Sequence, residues 1–307
     1  MMKIAVIILQ LVLFIVFAPF LSGLIAKIKN NVRMRRGPSV FQPYYNLAKL
    51  FSKGQAVSET ASWIFKVTPF VVFSSMFAAA MFIPVFIFST SAHYLGDFLA
   101  VIFIFSLGRF FLALAALDTG SSFGGMGSSR EMFISSLAEP VFCLVIFTLF
   151  LQFGSTDIAA FSGIHPLSAS SVVAATALFL VTIAETSRIP VDNQETHLEL
   201  TMIHEAMVLE YSGRSLALLE MAAYVKQMIF FFLVAQIIFP IAAPGLSGLI
   251  PSVLWILWYS ARIIIVAALA ALVEISVAKM RLFRVADFLG FAFILGIIAV
   301  VCAILGV

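Results

Sequence analysis

Apolar positions run along the chain in long blocks, and the polar positions collect between them. Eight blocks stand out, at approximately 4–26, 67–90, 98–117, 132–153, 169–187, 222–241, 253–277 and 286–305. A helix needs about 20 apolar residues to cross the hydrocarbon core of a bilayer, so each block predicts a transmembrane helix, the fifth being the weakest. The ten-residue alternation of apolar and polar positions that marks a membrane β-barrel is absent. The pattern therefore predicts an all-α integral membrane protein of about eight transmembrane helices. It forms a single transmembrane domain over 1–307, with loops at 27–66, 118–131, 188–221 and 278–285 on one side.

Composition agrees, with 63% of residues hydrophobic and 11% charged, whereas soluble domains run near 45–50% and 25%. The first block is followed by a basic loop where a small-residue cleavage site would stand, so it reads as a membrane span and no cleavable leader is expected. The two cysteines, Cys143 and Cys302, lie far apart in apolar blocks with no CxxC pair, which argues against a zinc or iron–sulfur site in the chain. His93, His165, His197 and His204 all fall outside the apolar blocks, which disfavours a haem-carrying membrane subunit. No phosphate-binding glycine fingerprint occurs.

Lysine and arginine set the orientation. The first loop carries Lys27, Lys29, Arg33, Arg35, Arg36, Lys49, Lys53 and Lys66 against the single acid Glu59. The loops near 91–97, 154–168 and 242–252 carry no Lys or Arg. Of 18 basic residues, 15 lie on one side, counting Lys226 at the edge of its span, and only Lys3 lies opposite. The basic side is expected to be cytoplasmic, with both termini outside the cytoplasm. The net charge of +3 reflects this asymmetry and not a nucleic-acid surface.

Two of the basic-side loops carry patterns of their own. The first holds Arg33, Arg35, Arg36, Gly37 and Pro38, then an amphipathic stretch, 44–51, with Leu47, Leu50 and Phe51 at helical spacing. A loop of this kind suits an anionic lipid surface or a short surface helix. The second, with its flanks, gathers Glu185, Asp192, Glu195, Glu199, Glu205, Glu210 and Glu220, seven of the chain's 15 acids. Glu195 and Glu199 at i,i+4 make a solvated helical face one reading, but like charges at that spacing repel. A docked partner or a proton-collecting surface fits the acids better.

At this point the residues reach a resemblance. The string Ala184-Glu185-Thr186-Ser187-Arg188-Ile189-Pro190-Val191-Asp192, then Glu195, Glu199 and Glu210-Tyr211-Ser212-Gly213, resembles the respiratory complex I subunit 1 family, as does Arg35-Arg36-Gly37-Pro38. The stretches 117–131 and 279–284 are similar to the branch of that family found in membrane-bound group 4 [NiFe] hydrogenases, of the formate hydrogenlyase and hydrogenase-4 type. The chain departs from the family at Val191, where Phe is usual, and at His197, where Glu or Gln is common.

The resemblance implies a subunit with no cofactor or catalytic centre of its own, in the inner (plasma) membrane of a prokaryote. It would anchor hydrogenase large and small subunits and ferredoxin-like subunits carrying iron–sulfur clusters and a nickel–iron centre. Antiporter-like membrane subunits would flank it, and electron transfer would couple to proton or sodium movement. In complex I the corresponding region forms much of the quinone chamber. For docking, the residues singled out are Arg33, Arg35, Arg36, Gly37, Pro38, Tyr211 and Arg214.

Ionisable residues inside a bilayer are functional hypotheses by default. Arg109 lies eight residues before Leu117 and Glu139 eight after Glu131. Both thus sit roughly 12 Å from the basic-side surface, matched in depth for a pair, and Pro140 beside Glu139 breaks a helix hydrogen bond. Glu185, Lys226 and Glu274 lie shallower, where snorkelling is the plainer reading. With Glu131, Asp192, Glu195, Glu199 and Glu210, these residues form the candidate proton-relay and coupling set. Apart from Asp97 and Arg262, the outer half of the spans holds no charge, so a half-path handing charge sideways to neighbours is expected.

Three other readings compete. One is complex I proper with quinone as acceptor. Another is a self-contained secondary transporter, against which stands the lack of an internal repeat. The third is a passive anchor, which needs no buried Arg109 or Glu139.

Overall fold

The computed structural model describes residues 2–58, 60–83, 96–158, 168–193, 202–239 and 249–306, with side chains from Gln10 in the first helix and from Leu257 in the ninth. Among the described residues the regular elements are all helices, with one isolated bridge between Asp97 and Asp157. Its elements are α1 (Met2–Val32), α2 (Gln42–Ser52), α3 (Trp63–Met81), α4 (Phe98–Asp118), α5 (Ser122–Phe153), α6 (Ala169–Glu185), α7 (His204–Val208), α8 (Gly213–Ile238), α9 (Leu249–Ser276) and α10 (Leu282–Leu305). Seven are long and apolar enough to cross a membrane, and α6, with 17 residues, stands at the short end of that range.

The bundle is built around α8, of whose most apolar window 78% is buried, against 22% for the peripheral α10. Lipid tails are as apolar as Leu, so close approach of small residues, more than burial, holds such helices together. On α10, Val285, Leu289, Ala292, Gly296 and Ala299 repeat at alternating spacings of four and three and pack inward against α5 and α6. Phe291, Ile294, Ile298, Val301 and Leu305 point away from the bundle. Between α3 and α4 the closest approach includes Gly108, where a Cβ would stand 2.7 Å from the Ser75 hydroxyl.

Two helix starts differ from the apolar blocks by nine residues or more. The stretch expected as the loop 118–131 is helix from Ser122 onward, because Ser121 caps it through its hydroxyl (3.1 Å from the Gly124 N–H) and two of its glycines, Gly124 and Gly127, are packing sites. A Cβ on Gly127 would meet Ala206 at 2.9 Å, so α5 and α7 touch through that glycine. Likewise α8 begins at Gly213, nine residues before the block at 222, where φ of +53° favours glycine. The amphipathic stretch is the helix α2, with Leu47 buried against Ala217 and Met221 of α8. The far end of the block 67–90, from residue 84, lies outside the described residues.

Candidate functional site

The site grows from one carboxylate. Glu185 is the last residue of α6, and its side chain is 1% exposed. One of its oxygens accepts from Arg109 Nη1 of α4 at 3.0 Å, and the other from Lys226 Nζ of α8 at 2.8 Å. Arg109 reaches this point because its face of α4 is the inward one, shared with Phe105 and Leu112, and because Gly108 lets α3 close in behind it. Two cations against one carboxylate leave a positive excess in a setting where unpaired charge is expensive. Two further acids answer it. Glu139 Oε1 lies 3.6 Å from Arg109 Nη2 and accepts from the Ser106 hydroxyl at 2.8 Å. Glu131, about two and a half turns into α5, shares a cavity with the three charges.

That cavity encloses about 770 Å³, its open mouth included, and is lined by Arg109, Glu131, Glu185, Lys226, Gln227 and His204, among others. Glu131 is buried, yet it makes no hydrogen bond or ion pair among the described residues, so its carboxyl faces the cavity. Glu139 differs, with a side chain 43% exposed on the outside of the bundle. The depth-matched pair of Glu139 and Arg109 is thus the outer rung of a longer ladder, and the closer partner of Arg109 is Glu185.

A second polar cluster adjoins the first. Glu274 of α9 pairs with Lys29 of α1 at 2.7 Å and with Arg188. Asp192 pairs with Lys279 at 2.7 Å and accepts from the backbone N–H groups of Asn193, Ile203 and His204 at 2.8, 3.2 and 3.3 Å. A cavity of about 440 Å³ runs between Lys29, Arg188, Asp192 and Glu274, and it shares Ser22 and Ser187 with the first. The charges therefore form one row: Glu139, Arg109, Glu185 and Lys226 with Glu131 beside them, then Arg188, Glu274 and Lys29, then Asp192 and Lys279. Glu185 and Glu274 do not snorkel; each is enclosed between two cations. Among the described residues no group of three or more His, Cys, Asp or Glu stands close enough to hold a metal ion.

A family model described as NADH dehydrogenase matches residues 4–305. The chain belongs to that family. It is 32% identical to hydrogenase-4 component C of Escherichia coli over 279 residues, covering 89% of this chain and 87% of that one. It is 34% identical to formate hydrogenlyase subunit 4 of the same organism over 224 residues, 71% of this chain and 72% of that one. Similarity to NADH-ubiquinone oxidoreductase chain 1 of Artemia franciscana is lower, 26% over 247 residues, 75% of this chain and 79% of that one. A chain of the membrane-bound sulfane sulfur reductase, an archaeal respiratory membrane complex, shares the fold with a TM-score of 0.81 at 20% identity, over 97% of this chain and 99% of that one.

The residues singled out for docking in the sequence divide into two groups. Arg33, Arg35, Arg36, Pro38 and Arg214 are exposed, and Gly37 packs on the Asn30 side chain. Loop one and the start of α8 are tied together, since the Ala56 N–H donates to Ser212 Oγ at 2.8 Å and Gln55 donates to Ser215. Tyr211 is the correction. It is 4% exposed, its ring stacks on Phe65 at 4.0 Å and its hydroxyl donates to the Phe65 carbonyl at 3.0 Å. Burial pushes that hydroxyl up from its ordinary range. Tyr211 therefore holds the loop to α3 and presents nothing to a partner. Glu210 is exposed, whereas Glu195, Glu199 and His197 lie outside the described residues.

The residue that the apolar pattern passes over is His204. Its loop position says nothing about burial, yet it faces the cavity of Glu131, Glu185 and Lys226, and burial pushes its imidazole below the usual histidine range. A neutral imidazole both donates and accepts a proton.

Proposed function

We propose that this chain anchors a peripheral redox arm to the membrane and couples that arm's electron transfer to proton or sodium movement, in a complex of the hydrogenase-4 or formate hydrogenlyase kind. The chain is a membrane subunit of the complex I subunit 1 type, and its relatives are subunits of hydrogenase-4 and formate hydrogenlyase. The observation that carries the coupling reading is the row of buried charges along two adjoining cavities, ending outward at the half-exposed Glu139. A passive anchor has no use for a buried carboxylate without a direct partner, and among the described residues Glu131 is one.

On this reading Glu131 is the group that gains and loses the proton. Glu131 shares its cavity with Arg109, Glu185 and Lys226, so a change of charge on any of them is felt at its carboxyl. His204 and Asp192 join the cavity to the loop that would meet the redox arm, and His204 is the neutral donor and acceptor between them. Glu139, exposed on the flank of the bundle, is the rung where charge passes to an antiporter-like neighbour. Hydrogenase large and small subunits and ferredoxin-like subunits are the partners expected over Arg33, Arg35, Arg36 and Arg214. Charge reversal at Arg35 and Arg36 together should release these soluble subunits from the membrane in a pull-down read by mass spectrometry. An intact, fully active complex from the reversed variant would remove this surface from the dock.

On this reading the basic loops face the cytoplasm of a prokaryotic cell. Reporter fusions after Phe51 and near Arg281 should read as cytoplasmic, and fusions near Gly245 and at the C-terminus as outside. A cytoplasmic C-terminus would overturn this orientation.

A further inference from the structure

We propose that a crevice between α1, α8 and α9 holds an acyl chain of an anionic phospholipid whose phosphate pairs with Lys27. The crevice, of about 660 Å³, is separate from the two charged cavities and is walled by Leu13, Phe17, Phe20, Met228, Tyr259 and Ile263, among others. It offers almost no polar contact. The hydroxyl of Ser260, at its edge, is turned to the Leu257 carbonyl at 2.8 Å. A water needs two to four polar partners to stay in such a space, so within a bilayer the filling is hydrocarbon.

The walls are held in place, which makes this a site more than a packing gap. Tyr259 lies between the Phe232 ring at 5.6 Å and the Arg262 guanidinium at 4.2 Å, and Arg262 is itself pinned to the Phe239 carbonyl at 2.7 Å. Phe17 and Phe20 meet edge to face at 6.3 Å, and Phe41 covers Phe20 from the start of α2 at 6.2 Å. A single acyl chain, thinner than a helix of about 10 Å diameter, lies along such a groove without displacing its walls.

Charge selects the headgroup. Phe20, Leu24 and Lys27 follow one another at i, i+4 and i+7, all beyond Pro19, so they share one face of α1. Lys27 then stands ~10 Å along the axis from Phe20, toward the basic end of the bundle where headgroups lie. Lys29, two residues on, turns to the other side and is neutralised by Glu274. Lys27 is only partly exposed and makes no hydrogen bond or ion pair among the described residues. A lone cation above an apolar crevice at the membrane surface recognises an anionic phosphate diester.

The test is native mass spectrometry of the purified membrane protein, with the subunits that accompany it, titrated with phosphatidylglycerol and with phosphatidylcholine. One phosphatidylglycerol should be retained at least tenfold better than phosphatidylcholine. Lys27→Glu should abolish that preference, and Ser260→Phe, which fills the crevice, should displace both lipids. If Ser260→Phe does not assemble, Ser260→Leu fills less space and should still weaken retention. Equal retention of phosphatidylglycerol by wild type, Lys27→Glu and Ser260→Leu would overturn the proposal. So would a photo-crosslinker at Ser260 that captures a protein subunit in place of lipid.

Discussion

Glu131→Gln is expected to leave the protein assembled in the membrane while ion-coupled turnover in sealed vesicles collapses. Gln keeps the size of the side chain and removes only the titrating proton. No hydrogen bond or ion pair among the described residues depends on that carboxylate, so folding should hold. The surrounding charges would change little, because Arg109 and Lys226 keep Glu185 between them. Coupled turnover should fall by roughly 100-fold, the low end of what a positioned proton-transfer group contributes. Electron transfer from the soluble arm to an artificial acceptor should stay near wild type. Glu139→Gln, at the exposed rung, should give the smaller loss, since solvent or a neighbouring subunit has access there. Normal pumping by Glu131→Gln would sink the relay, and loss of both activities would make Glu131 a structural residue.

Glu185→Ala should act differently and remove the protein from the membrane altogether. The substitution leaves Arg109 and Lys226 facing each other without the carboxylate that joins them. Breaking a buried pair by deleting one partner costs about 3–5 kcal/mol, a large part of a typical domain's stability of roughly 5–15 kcal/mol. Glu185→Gln keeps an acceptor for one cation and should be milder. Pairing Glu185→Leu with Lys226→Met removes an acid and a base together and should restore part of the folded protein. The measurement is the amount and melting temperature of detergent-extracted protein. Wild-type levels for Glu185→Ala would show that Glu185 is not the hub of the cluster.

Much of this architecture follows from local pattern alone. The bilayer removes water from the backbone, so only helices long enough to span it are allowed, and apolar block length becomes a direct reading of the spans. That is why the described spans, α4 at 98–118 above all, fall where the blocks do. The inward stripe of α10 and the amphipathic face of α2 are also legible, because both are periodic properties of one helix. Family membership was legible too, in short strings around Glu185 and Arg35 whose spacing survives in the chain whatever the packing.

Only the tertiary structure decided which charges meet. Arg109 and Glu185 are 76 residues apart, Lys226 and Glu185 are 41, and periodicity within a helix carries no information at that range. Depth along a helix predicted that Arg109 and Glu139 lie level, and they do pair at 3.6 Å, but only the neighbouring helices decide that Arg109 is buried against a closer partner, Glu185, while Glu139 is half-exposed. Gly124 and Gly127 of early α5, Tyr211 and His204 were hidden for the same reason. Small residues mark close approach only when the helix that approaches is known, and α3 and α7 supply that knowledge. Composition determines that this chain lives in a membrane; the packing of helices distant in sequence determines where its charge can move, because ion pairs form across space and not along the chain.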